Sequence, residues 1–165
     1  MRPNNMSHQG IWKTVHSETP EFIFDDVTEF VFFKESDFEG ISIKPEFKSY
    51  LIENGLPRES APFLCFSKLY FEHYLHPKLP IGSNGIGDFI LLNTESGVIF
   101  YENHDNFNKS IFINSNLISL FECLCIFQKA VIEDNQNDVL PQLLQADNNI
   151  QNDSMWHHET ANKSA

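Results

Sequence analysis

The stretch that decides the fold is Gly85–Phe127, GIGDFILLNTESGVIFYENHDNFNKSIFINSNLISLFECLCIF. Its first part, Asp88–Asn93, is a continuous apolar run between turn residues, which predicts a central strand buried on both faces. Gly97 closes the polar turn that follows, because glycine readily adopts the positive φ of a hairpin. Val98–Glu102 is therefore predicted to return as the neighbouring strand.

The rest of this stretch predicts one more strand and the main helix. Asn103–Ser110 is a polar loop, and Ile111–Ile113 is a short apolar strand. From Asn116 to Ile132, apolar residues recur at helical spacing and widen into an arc that covers most of the surface, so this helix should be largely buried. The possible N-caps, which need a side-chain oxygen, are Asn114, Ser115 and Asn116. Further helices are predicted at Val139–Gln145 and from Asp153 onward.

Upstream of this stretch the patterns are weaker. Phe22–Phe33 is rich in aromatic and β-branched residues, which favours a strand, although its spacing also allows a helix. Pro45–Asn54 predicts a helix that starts at a proline and ends at Gly55. The remaining predictions are strand-like segments at Phe63–Phe66 and Leu69–Tyr74, and a loop at His76–Pro80.

Length and composition indicate one folded domain. The chain has 165 residues, of which 41% are hydrophobic and 16 are Phe, too many for a disordered chain. Together the patterns predict an α+β fold with a mainly antiparallel central sheet packed with helices. We expect a loosely ordered segment at 1–20, a single domain at 21–160 and a frayed tail at 161–165.

The charge and the cysteine content indicate which partners and which cellular compartment to expect. The formal net charge is −12, which argues against nucleic acid or an anionic membrane and favours either a basic partner or simple solubility. The chain shows no apolar run long enough for a membrane span and no apolar leader segment, so we expect a cytoplasmic protein, or one exported by a route that the sequence does not show. An odd number of cysteines, Cys65, Cys123 and Cys125, then suggests reduced thiols.

The sequence offers weak candidates for chemistry. Gly85 and Gly87 precede a strand rather than a helix, so they are better interpreted as turn residues than as a phosphate loop. His73 and His76 would lie on opposite faces of a continuing strand, which disfavours a metal site. The cysteines lie in apolar segments that favour packing over reactivity. We therefore predict no catalytic residues, no metal and no cofactor.

Short motifs in a fixed order resemble a known family. They are Tyr50–Pro57 (YLIENGLP), Gly85–Asn93 (GIGDFILLN), Glu95–Val98 (ESGV), Ile113–Leu117 (INSNL), Ala146–Ile150 (ADNNI) and Ser154–Trp156 (SMW). This order, over about residues 45 to 157, resembles the SUKH superfamily of toxin-immunity and regulatory proteins, and most closely its immunity branch with a C-terminal Trp. The residues that match its structural motifs are Gly55, Leu56, Pro57, Gly85, Gly87, Gly97, Asn114, Ser115 and Trp156.

The resemblance implies an α+β fold, no cofactor and a protein partner, often a toxin encoded beside the gene. We expect Trp156 to be a packing anchor. Candidate partner-binding residues lie in predicted connections, where binding residues concentrate. They are Glu35, Asp37, Glu39, Glu102, Asp105, Phe107, Glu133 and Asp134. For Phe107 the alternative is a side chain folded back onto the core, and that alternative is slightly favoured.

Three functions are compatible with these patterns. The first is a non-enzymatic immunity protein, acidic and monomeric, that binds and neutralises a basic toxin acting on nucleic acid. The second is a regulatory adaptor of the same fold that binds an endogenous protein. The third is a small ligand-binding protein or hydrolase, which would need a pocket with convergent polar groups.

Overall fold

The computed structural model describes residues 6–17 and 28–161. Two short strands, β1 (Phe30–Val31) and β2 (Leu56–Pro57), form an antiparallel pair. A six-stranded antiparallel sheet follows, with its strands in sequential order. These strands are β3 (Glu59–Ser60), β4 (Leu64–Phe66), β5 (Lys78–Ser83), β6 (Phe89–Asn93), β7 (Ile99–Asn103) and β8 (Lys109–Asn114).

Within residues 6–17 and 28–161, five α-helices accompany the strands. They are α1 (His8–Val15), α2 (Pro45–Asn54), α3 (Leu117–Ile132), α4 (Leu140–Ala146) and α5 (Met155–Thr160). Short 3₁₀ helices lie at Glu35–Phe38, Lys68–His73, His104–Asn106 and Gln136–Asp138. The predicted α+β class with a mainly antiparallel sheet is confirmed. Helices α2 and α3 also lie where the sequence predicts them, and the Asn116 side chain caps α3 by accepting from the Ser119 N–H at 2.8 Å.

The core lies between one face of the sheet and the helices. Alternate residues of β6, Ile90 and Leu92, are fully buried in it, as is Leu120 of α3. Leu91 is also buried, but it points to the opposite face and lies outside the core cluster. The prediction that this strand is buried on both faces therefore holds. Each fully buried side chain of this size contributes about 1.5–3 kcal/mol.

Two predictions in the middle of the chain are wrong. The predicted loop at His76–Pro80 instead enters strand β5, which tolerates Pro80 because the register shifts in a bulge just after it. The strand predicted at Leu69–Tyr74 is a 3₁₀ helix, capped by the Ser67 hydroxyl at 3.1 Å from the Leu69 nitrogen. Its Tyr70 and His73 rings pack against Phe89 of β6, whereas Phe71 packs in the core against Phe33 and Phe38.

The N-terminal prediction is also wrong where the structure describes it. Ser7 caps α1, and Trp12 of that helix is fully buried in the core. This helix is hard to recognise in the sequence because polar residues are interleaved with its apolar ones, and one of its two buried residues is His8, which packs against Phe121. Residues 1–5 and 18–20 of the predicted loose segment lie outside the described residues, as do residues 22–27 of the Phe22–Phe33 segment and residues 162–165 of the predicted tail.

A buried polar network fastens the C-terminal helices to the sheet. Asp147, only 5% exposed, accepts hydrogen bonds from the Ser115 N–H and hydroxyl, both at 2.7 Å, and from Asn114 at 3.0 Å. Asn114 in turn accepts the indole N–H of Trp156 at 2.8 Å. Trp156 is fully buried, so its predicted packing role is confirmed. Burial acts to raise the pKa of Asp147, but the donors from Ser115 and Asn114 outweigh it and hold that pKa below the ordinary value.

Candidate functional site

Three connections meet at one end of the six-stranded sheet. Antiparallel pairing of β4 with β5 sets Cys65 opposite Ser83, and pairing of β7 with β8 sets Asn103 opposite Lys109. The turn at 61–63, the loop at 84–88 and the turn at 104–108 therefore all emerge at the same end. We call these three connections the apex.

Each connection of the apex exposes one large hydrophobic side chain. Phe107 is 98% exposed, Phe63 is 84% exposed and Ile86 is 55% exposed. Single exposed hydrophobic residues are ordinary on protein surfaces, but these three lie on neighbouring connections and bring apolar surface to the same end of the sheet, as at many binding sites. The favoured alternative for Phe107, a side chain folded back onto the core, is therefore wrong.

Two of these residues also have unfavourable backbone conformations. Phe63 has φ of 60° and Phe107 has φ of 52°, the left-handed region that bulky side chains seldom adopt. Such a conformation costs on the order of 1–3 kcal/mol and persists only where the surrounding structure imposes it. Both phenylalanines are thus held outward at an energetic cost, although their side chains contribute little to the core.

The turn that carries Phe63 is held from both sides. A Cβ on Gly85 would lie 2.9 Å from the Phe63 Cβ, so only glycine permits this close approach of the two connections. On the other side, the Ala61 N–H donates to the Gln128 side chain of α3 at 2.7 Å. Gln128 also lies 3.1 Å from the Nε2 atom of His16, which ties the turn to the segment after α1.

A buried carboxylate joins the other two connections. Asp88 is 4% exposed and accepts the backbone N–H of His104 at 3.1 Å, and the His104 ring nitrogen Nδ1 contacts the same oxygen. The Asp88 N–H donates to the Asn84 side chain at 3.0 Å. The same Asn84 oxygen accepts the Ile86 N–H at 3.1 Å, so the Asp88–Asn84 unit holds both the Ile86 loop and the Phe107 turn.

Asp88 and His104 each stabilise the charged form of the other. The hydrogen bond that the His104 ring donates to Asp88, followed by the charge of Asp105, raises the pKa of His104 above its ordinary value. Burial acts to raise the pKa of Asp88, but the hydrogen bonds from the His104 ring and backbone outweigh it, and the pKa is lowered. A half-exposed imidazolium beside a buried carboxylate is therefore the favoured state at mildly acidic pH.

The structure separates the predicted acidic residues into two kinds. Three of them pair with lysines: Glu35 with Lys48 at 2.6 Å, Asp37 with Lys68 at 3.2 Å, and Glu102 with Lys78 at 2.6 Å. Their charges are thus partly neutralised within the protein. Glu39, Asp105, Glu133 and Asp134 are exposed.

Among the exposed acidic residues, Asp105 belongs to the apex itself. Glu133 and Asp134 follow α3, the helix whose Gln128 reaches the apex turn, so they lie towards the same end of the molecule. Asp134 also has positive φ, 56°. Glu39 lies apart from this group, at the end of the 3₁₀ helix Glu35–Phe38.

Sequence reasoning missed three central residues of the apex, namely Phe63, Ile86 and Asp88. Ile86 stood between two glycines in a predicted turn, and Phe63 followed a proline, which are local signs of an exposed apolar residue. These three residues come to the same end of the sheet because of the strand order, and the strand order cannot be inferred from the periodicity of one sequence.

The described residues give little support for chemistry at this surface. Burial raises the pKa of the Cys123 thiol to about 12, and burial also raises the pKa of Cys65, so neither is a ready thiolate. Within residues 6–17 and 28–161, no group of His, Cys, Asp and Glu is arranged to hold a metal ion. In the same ranges, every helix is too short or too polar to cross a membrane.

Comparisons with models of known protein families, with curated proteins and with solved structures yield no match to this chain.

Proposed function

We propose that this chain is a non-enzymatic protein-binding domain of the immunity type, which captures a toxin through the apex. The observation that carries the proposal is the exposure of Phe63, Ile86 and Phe107 on three adjacent connections. Large hydrophobic residues on a protein surface supply most of the free energy at interfaces when a partner buries them. The toxin is the partner that the resemblance to SUKH immunity proteins implies.

The strained phenylalanines favour a binding role over an accidental exposure. A left-handed conformation at Phe63 and Phe107 lowers stability without burying either ring. Burial of both rings by a partner would offset that cost, since each aromatic side chain can contribute on the order of 2 kcal/mol. Because the strain is already present in the free protein, the rings would need little reordering on binding.

The charge of the whole chain favours a basic partner. There are 23 acidic and 11 basic residues, and the apex itself adds Asp105 next to its apolar side chains. A net charge of −12 accelerates encounter with a basic protein and repels anionic nucleic acid and membranes. The partner we propose is therefore a basic protein with apolar pockets, as expected of a toxin that acts on nucleic acid.

The test is co-expression with the protein of the neighbouring reading frame, scored by co-purification and by rescue of growth. The double variant Phe63→Ala/Phe107→Ala should lose capture by about 100-fold or more, with the melting temperature nearly unchanged because both rings are exposed. Leu75→Ala is the matched control, since Leu75 is 75% exposed and lies at the opposite end of the sheet.

The outcomes separate the alternatives. Loss of capture in the double variant but not in Leu75→Ala supports the apex as the binding surface. Capture of a non-toxic neighbour, without any effect on growth, would instead favour the regulatory adaptor. Equal capture by the double variant and the wild type would refute the proposal, and binding of the isolated wild-type protein to phosphatidylcholine vesicles would assign the apolar tips to a membrane surface.

A further inference from the structure

Asp88 is a buried carboxylate at the base of the exposed apex. Asp88 is the last residue before β6, and its hydrogen-bond partners belong to two connections rather than to the core. Its side chain contacts His104 in the β7–β8 turn and Asn84 in the β5–β6 loop. Both connections carry an exposed apolar residue of the apex.

We propose that Asp88 is the positioning residue of the capture surface and that His104 makes capture dependent on pH. This inference rests on the proposed function, because it assigns a role within the same surface. In it, Asp88 fixes the spacing between Ile86 and Phe107, and neither Asp88 nor His104 needs to touch the partner.

The hydrogen bonds explain how one carboxylate sets that spacing. The turn of Phe107 has local bonds of its own, from the Asp105 N–H to the Asn103 side chain at 3.0 Å and from the Asn108 N–H to the Asn103 carbonyl at 3.0 Å. These bonds shape the turn but do not connect it to the neighbouring loop. Asp88 supplies that connection, since it accepts both the backbone N–H and the ring nitrogen of His104.

Loss of this connection should weaken binding more than folding. The core strands and α3 do not depend on it, whereas the relative position of two exposed apolar side chains does. When a surface is mobile before binding, each side chain or loop that the partner immobilises costs conformational entropy, and the affinity for the partner falls. We therefore expect the change to appear in the affinity for the partner and in the exchange of the amides at 103–108.

The pH dependence follows from the groups that face His104. They are Asp88 of the β5–β6 connection and Asp105 of the same turn as His104. Tyr101 of β7 also lies near Asp88, and burial together with the charge of Asp88 raises the pKa of Tyr101. Because the pKa of His104 is raised, the charged pair is complete below the ordinary histidine value and is lost as the pH rises through the raised value. Because the pKa of Asp88 is lowered, the pair persists in acid until the pH falls through that lowered value.

The experiment compares Asp88→Asn and His104→Gln with wild type, using the purified protein of the neighbouring reading frame as the probe. Capture by wild type should weaken about 3- to 10-fold between pH 6 and pH 9. Each variant should bind about 10-fold more weakly than wild type at pH 6 and show a flatter pH profile. Because the same probe is used with all three proteins, its own titration affects wild type and variants equally. In the free variants, the amides of 103–108 should exchange at least 10-fold faster than in wild type.

The readouts keep this inference separate from the proposed function. Unchanged exchange and affinity in both variants, together with lost capture in Phe63→Ala/Phe107→Ala, would overturn the role of Asp88 and leave the apex as the binding surface. Unchanged capture in Phe63→Ala/Phe107→Ala would instead overturn the proposed function. If Asp88→Asn fails to fold, His104→Gln decides alone, because His104 is half exposed and a parallel pH profile in that variant would contradict the inference.

Discussion

Two buried carboxylates, Asp147 and Asp88, lie in opposite parts of this protein and show what separates a stabilising contact from a functional one. Both are about 95% buried, and in both the hydrogen bonds overcome burial and lower the pKa. Asp147 binds the end of β8 and the first turn of α3, through Ser115 and Ser119. Asp88 binds two surface connections that expose apolar side chains.

The difference lies in what each carboxylate holds in place. Around Asp147 the large aromatic residue, Trp156, is fully buried and its indole N–H is bonded to Asn114. Around Asp88 the nearby hydrophobic residues, Ile86 and Phe107, are exposed. The same chemistry therefore completes the core in one region and shapes a surface in the other. Each of the following predictions tests one side of this comparison.

The largest effect is expected at Asp147. Asp147→Ala should lower the free energy of unfolding by about 3 kcal/mol or more, because it leaves several buried donors unsatisfied, among them those of Ser115 and Asn114. Urea denaturation followed by circular dichroism measures the change. Asp153→Ala, at an exposed position just before α5, should change stability by less than about 0.5 kcal/mol. A similar loss of unfolding free energy in both variants would contradict the stabilising role of Asp147.

An intermediate effect is expected at His16, which links α1 to the apex. Burial lowers the pKa of His16, and its Nδ1 atom lies 2.9 Å from the Trp12 carbonyl. The neutral ring is thus favoured in the folded state, so its contribution to stability is complete above the ordinary histidine pKa and is lost as the pH falls from there towards the lowered value.

Wild type should therefore lose about 1 kcal/mol of stability between pH 7 and pH 5. His16→Gln should lose less over this range, and the exposed control His158→Gln should behave as wild type. Thermal unfolding monitored by tryptophan fluorescence, at pH values from 5 to 8, gives the comparison. A slope in His16→Gln equal to that of wild type would show that the acid sensitivity arises elsewhere.

The smallest effect is expected from the exposed acidic residues. Asp105→Lys/Asp134→Lys should slow association with the partner about 3- to 10-fold at low salt, because steering acts on encounter more than on the bound state. The effect should largely disappear at high salt. Asp153→Lys, a single reversal at the far C-terminal segment, is the control, and stopped-flow association rates are the readout. A salt-independent loss would mean that these residues touch the partner directly.

Local signals in the sequence predicted the elements that depend on local physics. Helix α3 has its Asn116 cap and a long apolar run, and α2 has Pro45 at its start and Gly55 at its end. Strand β5 was not predicted because Pro80 is tolerated only through a bulge, and α1 was not predicted because its buried residues, His8 and Trp12, stand among polar ones. Both depend on tertiary contacts.

The candidate site was predicted only in part for the same reason. Asp105 and Phe107 stood out as unusual residues in a loop, and the structure places both at the apex. Glu35, Asp37 and Glu102 looked equivalent in the sequence but pair with lysines that are distant along the chain. Strand order brings Phe63 and Ile86 to the same end of the sheet.

The most direct test of the central claim is amide hydrogen exchange of the protein with and without its captured partner. We predict strong protection at 61–63, 84–88 and 104–108 on binding, with little change at 75–78 and 94–97 at the opposite end of the sheet. Protection confined to the opposite end, with the apex unchanged in a stable complex, would contradict that claim.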